Sequence, residues 1–273
     1  MFNNIKVGLS QNTLGPNVYG GLFEDKINQH VTAYVDYQML AAPRHNVAYK
    51  IAILIEPIVV ISHVYRWVEE NHDSFDLVMT HNKALAEKYE KFKYYPIWPR
   101  IWIPSSKRKI YKKTKMVSAI FSKQNSTEGH RFRHIIADKF SKNIDLYGRA
   151  YKEIECKTEG LAEYRYQVVV ENEKLGYASE KVNDCFCCGT IPIYWGGEKS
   201  NINDYYSSNG IIMFKDLKQL ENILYNIVSE ADYESRQQHV KENFSLACDL
   251  DLELVYWSYG IKDFMLKVAN SEF

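Results

Sequence analysis

The residues best suited to chemistry follow one apolar strand, which the sequence predicts over Tyr166 to Val170. Glu171 and Asn172 follow the strand directly. A short glycine-containing loop comes next, and Ser179, Glu180 and Lys181 begin a predicted helix. Gly189-Thr190 then turns the chain into a second apolar strand, Ile191 to Trp195. In an open parallel sheet, ligands bind where strands end and helices begin. The amides of a helix N-terminus, together with a lysine, favour an anion there, such as a diphosphate.

The order of these residues resembles the donor-binding signature of the alpha-1,3/1,4-fucosyltransferases. That signature reads roughly Phe-Glu-Asn, a short loop, Tyr-x-Thr-Glu-Lys, a helix, and then Gly-Thr-x-Pro-x-x-x-Gly. The chain has Val170-Glu171-Asn172, then Tyr177-Ala178-Ser179-Glu180-Lys181, then Gly189-Thr190-Ile191-Pro192-Ile193-Tyr194-Trp195-Gly196. It differs by Val170 in place of Phe, by Ser179 in place of Thr, and by a loop that is one residue shorter.

The resemblance implies an α/β fold of the GT-B type, in which two Rossmann-like parallel-sheet domains face a cleft. We therefore expect an inverting glycosyltransferase that moves fucose from GDP-fucose to a hydroxyl of a glycan or glycoconjugate acceptor. The donor would bind mainly to the C-terminal domain and the acceptor to the N-terminal domain. By the same resemblance, Glu180 contacts donor hydroxyls, Asn172 lies near the nucleoside, and Tyr177 lies beside the nucleotide. Ser179 belongs to the same donor-binding set.

Departure of a nucleoside diphosphate develops negative charge, which a metal or fixed cations must stabilise. Lys181 is the first candidate cation. Arg133 is the second, because the strand before it and the apolar residues after it match the family's spacing, and Arg131 is the alternative. Lys123 stands where the family usually has Asn and could add a third charge. With two fixed cations we expect no obligatory metal or other cofactor.

Glycosyl transfer also needs a base that takes the proton of the acceptor hydroxyl. Glu56 follows an apolar strand, as a glutamate does in the resembled family, although the context here is Ile-Glu-Pro. The alternative is that Glu56 is only an acid at a helix start, with Pro57 at the first helical position. Asp36, His63 and His81 are the reserve candidates for the base.

On the acceptor side we expect His63, Asn12 and the other residues around Gly8 to Gly21 to contact the acceptor. The glycine-rich segment Gly15 to Gly21 fits neither the dinucleotide-binding pattern nor the Walker pattern, so it does not predict a phosphate cradle. Asp249-Leu250-Asp251 could be taken as a metal-binding Asp-x-Asp, but it lies in a predicted helical region near the C-terminus. Cys185, Cys187 and Cys188 lack zinc-site spacing, so burial is the better interpretation.

Composition narrows the class of protein. The formal net charge is +0 and the pI is about 7.1, so no global basic field predicts nucleic-acid binding. No apolar run is long enough to be a transmembrane segment, and no signal-peptide pattern opens the chain. We therefore expect a cytoplasmic protein. The basic stretch Pro104 to Lys115 leaves peripheral contact with an anionic membrane open.

Strands and helices alternate along both halves, which predicts parallel sheets. The basic stretch is predicted to be the linker between them. The predicted domains are residues 1–108, on the acceptor side, and 109–273, which bind the nucleotide sugar; helices near the C-terminus could pack back on the first domain.

Two alternatives to the fucosyltransferase interpretation stay open. The enzyme could use another nucleotide sugar, such as one linked to UDP, because the signature fits a diphosphate sugar more than a particular base. The protein could also be a catalytically silent module that binds a nucleotide sugar or a glycan. A silent module would not need the carboxylate of Glu56.

Overall fold

The structure is a computed structural model that describes residues 7–9, 23–24, 30–95, 100–174, 178–196 and 201–250. These residues form two compact units, one ending at residue 95 and the other spanning 100–250. Each unit is built on one parallel sheet covered by helices.

The first unit has a six-stranded parallel sheet in the order β2-β1-β3-β4-β5-β6. Its strands are β1 (Val7–Leu9), β2 (Phe23–Glu24), β3 (Val31–Val35), β4 (Tyr49–Leu54), β5 (Leu77–Thr80) and β6 (Phe92–Tyr94). Its helices are α1 (Ile58–Asn71) and α2 (Lys83–Lys88), with 3-10 helices over Asp36–Arg44 and His72–Ser74. The apolar face of α1 packs on the sheet through Ile61, Val64 and Val68, which are fully buried.

The second unit has a five-stranded parallel sheet in the order β11-β10-β9-β7-β8. Its strands are β7 (Lys115–Ile120), β8 (Asp145–Tyr147), β9 (Tyr164–Val170), β10 (Ile191–Trp195) and β11 (Ile212–Met213). Strands β9 and β10 are buried along their whole length, as expected for a parallel sheet with helices on both faces. The strand order reverses between β7 and β9, which makes their carboxyl ends the expected ligand edge.

Five helices cover this sheet: α3 (Glu128–Phe140), α4 (Lys181–Phe186), α5 (Leu217–Asn226), α6 (Glu230–Ser235) and α7 (Gln237–Cys248). Shorter 3-10 helices cover Ser105–Lys107, Lys157–Gly160, Asn201–Asp204 and Ser208–Gly210. Helix α3 buries Ile136 and Phe140 in the main core, and each such side chain contributes about 1.5–3 kcal/mol by leaving water. Thr127 caps the helix by accepting a hydrogen bond from the His130 amide.

The predicted fold class, α/β with two Rossmann-like parallel sheets, is confirmed. The strand predicted over Tyr166 to Val170 is present as β9, which begins two residues earlier, and the strand predicted over Ile191 to Trp195 is present as β10. Asp216 caps α5 by accepting a hydrogen bond from the Gln219 amide. Strand β3 and the 3-10 helix after it were not predicted. The predicted domain boundary at residues 108 and 109 stays a prediction.

The basic stretch before β7 belongs to the second unit, and most of its side chains are exposed. Its role as the interdomain linker stays a prediction. The amides of Lys109 and Tyr111 donate to the carbonyls of Cys187 and Cys188. Lys113 is buried, and its ammonium group donates to three carbonyls and to the Thr190 hydroxyl, at 2.7 to 3.3 Å. These acceptors satisfy a lysine whose pKa burial lowers to about 7.

All five cysteines are free thiols, and Cys185, Cys187 and Cys188 are buried around the end of α4. The prediction that these three act as small apolar side chains is confirmed by that burial. Within the described ranges no helix is both long and apolar enough to cross a bilayer.

Candidate active site

A cavity of about 570 Å³ opens at the carboxyl ends of β7 and β9, where the order of the second sheet reverses. Its charged lining comes from separate parts of the chain: Arg133, Arg149, Glu153, Glu155, Lys157, Glu180, Lys181 and Asp184. Its apolar walls include Ile120, Leu161 and Val168. The cavity therefore combines apolar walls with a few convergent charged groups, the usual make-up of a small-molecule site.

Glu171 organises the loop that follows β9. Its side chain is fully buried and accepts hydrogen bonds from the Ser179 amide and hydroxyl at 2.7 to 2.9 Å. Lys181 donates to the same carboxylate at 3.0 Å and to the Ser179 hydroxyl at 2.7 Å. The Tyr194 hydroxyl donates at 3.3 Å. Glu171 thus fixes the start of α4, and it leaves Lys181 with 27% of its side chain exposed beside the cavity.

Arg133 reaches the end of β9 from the first turns of α3. Its guanidinium donates to the Val170 carbonyl at 2.6 and 3.0 Å and to the side-chain oxygen of Asn172 at 3.0 Å. Gly129 lets the helix come this close, because a Cβ at that position would lie 1.7 Å from the Glu171 carbonyl oxygen. The Gly129 amide donates to the Asn172 carbonyl at 3.1 Å. Strand end and helix start are therefore bound directly to each other.

His130 lies near the two cations, Arg133 and Lys181, at this edge of the sheet, and their charges act on its imidazole. Its pKa falls to about 4, first because the ring is desolvated and then because Arg133 and Lys181 repel the imidazolium. Its Nδ1 atom lies 3.1 Å from the Ser126 hydroxyl and 3.4 Å from the Thr127 amide. A neutral imidazole next to two cations marks a place where an anion would be favoured.

A second charged group lies next to Lys181 in the cavity lining. Lys157 donates to the Asp184 carboxylate at 2.6 Å, and the Trp102 amide donates to the other oxygen of Asp184 at 2.7 Å. Glu180 lines the same cavity. Although burial acts to raise the Glu180 pKa, the charges of Lys181 and Lys157 outweigh it and lower that pKa. Burial raises the pKa of Asp184, and Lys157 opposes that rise.

Three predicted donor residues, Arg133, Glu180 and Lys181, line the cavity together. Asn172 and Ser179 hold the cations, through the bonds to Arg133 and Lys181 described above. Lys123 is exposed and is not among the cavity-lining residues. Tyr177 lies outside the described residues. The assigned roles of these residues stay predictions.

Sequence reasoning missed Trp102, Arg149, Lys157 and Asp184, which the fold brings to the same cavity. One signal was available for Asp184, which lies four residues after Glu180 and so shares its face of α4. Gly148 also places Arg149: its φ is +104°, and a Cβ there would lie 2.1 Å from the Phe121 carbonyl oxygen. Nothing in the local pattern singled out Trp102 or Lys157.

In the first unit, Glu56 comes after β4, and both its backbone amide and its carbonyl are hydrogen-bonded. Its amide and that of Ile55 donate to the Asp36 carboxylate, at 2.8 Å for Ile55 and 3.3 Å for Glu56. Its carbonyl accepts from the Tyr65 hydroxyl at 3.1 Å, and that hydroxyl lies 3.0 Å from His81 Nε2. Two of the reserve candidates, Asp36 and His81, therefore act as supports for the Glu56 backbone.

Asp36 has an unusual backbone conformation for a non-glycine residue, with φ at 47°. Burial raises its pKa to about 7, while the amides of Ile55 and Glu56 counteract the rise. His63 is exposed on α1, with its ring 5.1 Å from that of Tyr37. Asn12 lies outside the described residues, and so does most of the loop predicted to contact the acceptor.

Over the described ranges there is no group of three or more side chains suited to hold a metal ion. Asp249 is an exposed residue at the end of α7, and Asp251 is not described.

Residues 110–244 match the model of the C-terminal domain of glycosyltransferase family 10, the fucosyltransferases. The parallel sheet, the reversal of strand order and the charged cavity all lie within or next to this range. The second unit therefore matches a family 10 glycosyltransferase domain over most of its length. No curated protein matches the chain at the level of sequence.

Solved structures with the same fold are glycosyltransferases of the GT-B type. A point mutant of S. aureus TarM, in complex with Fondaparinux, alpha-GlcNAc-glycerol and UDP, gives a TM-score of 0.57 at 11% identity. It is matched over 88% of this chain and 55% of its own. OtsA in its apo form gives 0.55 at 11% identity, over 90% of this chain and 74% of its own. The chain thus spans little more than half the length of TarM. At these identities the likeness shows the GT-B fold alone.

Proposed function

We propose that the protein transfers fucose, with inversion, from GDP-fucose to a hydroxyl of a glycan acceptor. One observation carries the proposal. A family 10 domain places Lys181, Arg133 and Glu180 around a cavity at the edge of the sheet where Rossmann-like domains bind nucleotides. The loop that presents Lys181 is fixed by a buried carboxylate, so the cation needs little reorganisation before it can act on a diphosphate.

In this mechanism Glu56 accepts the proton of the acceptor hydroxyl while that oxygen attacks the anomeric carbon of the donor. The bond between the anomeric carbon and the phosphate oxygen breaks, and the electron pair leaves with GDP. Lys181 and Arg133 stabilise the charge that develops on the diphosphate, so no divalent metal is required. Asp36 and Tyr65 hold Glu56 through its amide and its carbonyl.

A donor linked to another base is the second candidate. It is favoured by the lining of the cavity, in which the charged groups suit a diphosphate sugar and do not by themselves select guanine. TarM, which shares the fold, was solved with UDP. A UDP-sugar would use the same two cations and the same base.

The test is a melting-temperature screen against GDP, UDP, ADP and CMP, each with and without its sugar-linked form where one exists. A ligand that binds only the folded state stabilises it by about 2.7 kcal/mol at a hundredfold excess over its dissociation constant. We expect GDP and GDP-fucose to raise the melting temperature most. A UDP-specific rise would establish the second candidate, and no rise with any nucleotide would contradict both.

A further inference from the structure

Three residues beside Lys181 in the cavity lining, Asp184, Lys157 and Trp102, form a hydrogen-bonded network that the donor-binding signature does not account for. Asp184 is 2% exposed and accepts from Lys157 at 2.6 Å and from the Trp102 amide at 2.7 Å. Glu180, which follows the loop held by Glu171, lines the same cavity. Donors and acceptors therefore alternate along this wall of the cavity.

The Trp102 ring is the one large apolar surface in this network. It is 48% exposed although its backbone is tied to Asp184. The Arg100 guanidinium lies 3.3 Å from the ring centroid and the Lys157 ammonium 5.6 Å from it. These contacts hold the ring in one orientation while much of it stays open to a ligand.

A pyranose ring fits this combination. Its C–H face is apolar and can pack on an indole, while its hydroxyls both donate and accept hydrogen bonds. Lys157 offers donors, and Asp184 and Glu180 offer acceptors. A phosphate group does not fit as well, because the two carboxylates would repel it.

The position of the network relative to the cations also favours a sugar. Lys157 and Asp184 line the cavity together with Lys181, so the network lies beside the expected diphosphate. The transferred sugar must be reached by the acceptor, and so it has to lie at the open side of the cavity. Trp102 is half exposed, whereas the walls formed by Leu161 and Val168 are buried and suit the nucleobase.

We propose that Trp102, Lys157 and Asp184 form the subsite that binds the transferred sugar of the donor. The proposal rests on the proposed function and names the residues that determine sugar specificity. Trp102 packs on the sugar ring, and Lys157, positioned by Asp184, bonds to its hydroxyls. The subsite acts on the sugar and not on the nucleoside diphosphate.

The experiment compares dissociation constants for GDP and GDP-fucose in the wild type and in Trp102→Ala, Trp102→Phe and Lys157→Met. Tyr225→Ala is the matched control, since Tyr225 is an aromatic residue that is 61% exposed and does not line the cavity. We expect Trp102→Ala and Lys157→Met to weaken GDP-fucose binding about tenfold or more, and GDP binding less than about twofold. Trp102→Phe keeps a ring and should lose less than Trp102→Ala. Melting temperatures of the free variants check that each is folded.

Equal weakening for GDP and GDP-fucose would place the network against the nucleoside or the diphosphate and overturn the inference. Unchanged affinity for both ligands would overturn it as well, while leaving the proposed function intact. A folded wild type that binds no nucleotide at all would overturn the proposed function and, with it, the subsite. The control variant should bind both ligands like the wild type.

Discussion

Lys181 has a structural partner as well as its proposed ligand. It donates to the fully buried Glu171 carboxylate at 3.0 Å. Removing one partner of a buried ion pair costs about 3–5 kcal/mol, because the other charge is left without compensation. Lys181→Ala would therefore confuse loss of folding with loss of binding. Lys181→Gln is the better variant, since its amide can still donate to Glu171 while the positive charge is gone.

His130 offers a direct readout of the anion site. We predict that GDP raises the His130 pKa from about 4, because the diphosphate offsets the charges of Arg133 and Lys181 that help to lower it. The pKa is measured by NMR titration of the imidazole with and without GDP, and His130→Gln identifies the signal. Saturating GDP without any change in this pKa would place the diphosphate elsewhere.

The same shift makes His130 a contributor to pH-dependent stability. Its pKa in the folded state is about 4, below the ordinary 6.5. Between pH 4 and pH 6.5 the unfolded chain therefore binds more protons than the folded chain. The contribution of His130 to the free energy of unfolding is fully present above pH 6.5 and is lost as the pH falls through about 4.

Glu56→Gln tests the proposed base. Because the substitution keeps the shape and removes the proton acceptor, we predict that kcat falls by a factor of about 100 or more. The dissociation constant for GDP should stay unchanged, since we propose that the donor binds to the second unit. Measuring kcat and GDP affinity on the same protein separates catalysis from binding. An active variant that is only slightly less stable would mean that Glu56 is a helix-start acid, worth about 0.3–1 kcal/mol.

At the scale of elements, the site is made where β9 ends and α3 and α4 begin. Gly129 brings α3 against the Glu171 carbonyl, and the Glu171 side chain holds the start of α4. The position of Arg133 therefore depends on the contact between a helix and a strand end, and not only on its own hydrogen bonds.

Gly129→Ala should disturb this contact. A Cβ there would lie 1.7 Å from a backbone oxygen, so α3 has to move away from β9. We predict a loss of about 1–3 kcal/mol in the free energy of unfolding, the usual cost of overpacking, together with weaker GDP binding. Denaturant unfolding and GDP titration measure the two effects. Asp138→Ala, on the exposed side of α3, is the control and should change neither; a Gly129→Ala variant that behaves the same way would contradict the close approach.

The sequence predicted most of these elements because buried parallel strands and amphipathic helices leave clear apolar patterns. It missed β3 although Val31–Val35 is rich in β-branched and aromatic residues that favour strands. The 3-10 helix that follows has no regular helical period to predict it. It did not predict that Lys113, within the basic stretch, is buried and held by four hydrogen bonds. A lysine-rich composition does not reveal such an arrangement.

At the scale of the whole molecule, each unit has a parallel sheet whose second strand in chain order, β2 or β8, is the edge strand next to the first, β1 or β7. The signature residues of the candidate site are close in sequence, so a motif could find Glu180 and Lys181. Trp102 and Lys157 come from segments that are distant in sequence and reach the cavity only through the fold. Sequence reasoning could therefore predict the diphosphate side of the site but not the side proposed here for the sugar.

The proposed function requires that a diphosphate bind between Lys181 and Arg133 without a metal ion. The most direct test is calorimetric titration of GDP in the presence of EDTA, with the wild type, Lys181→Gln and Lys139→Gln. Lys139 is the control because it forms a half-exposed ion pair with Glu221, away from the cavity lining. We predict that the wild type and the Lys139→Gln control bind GDP in the presence of EDTA. Lys181→Gln should bind GDP at least about tenfold more weakly, a difference of about 1.4 kcal/mol in binding free energy. Wild-type binding that disappears in EDTA and returns with manganese, or equal affinity in Lys181→Gln and the wild type, would contradict it.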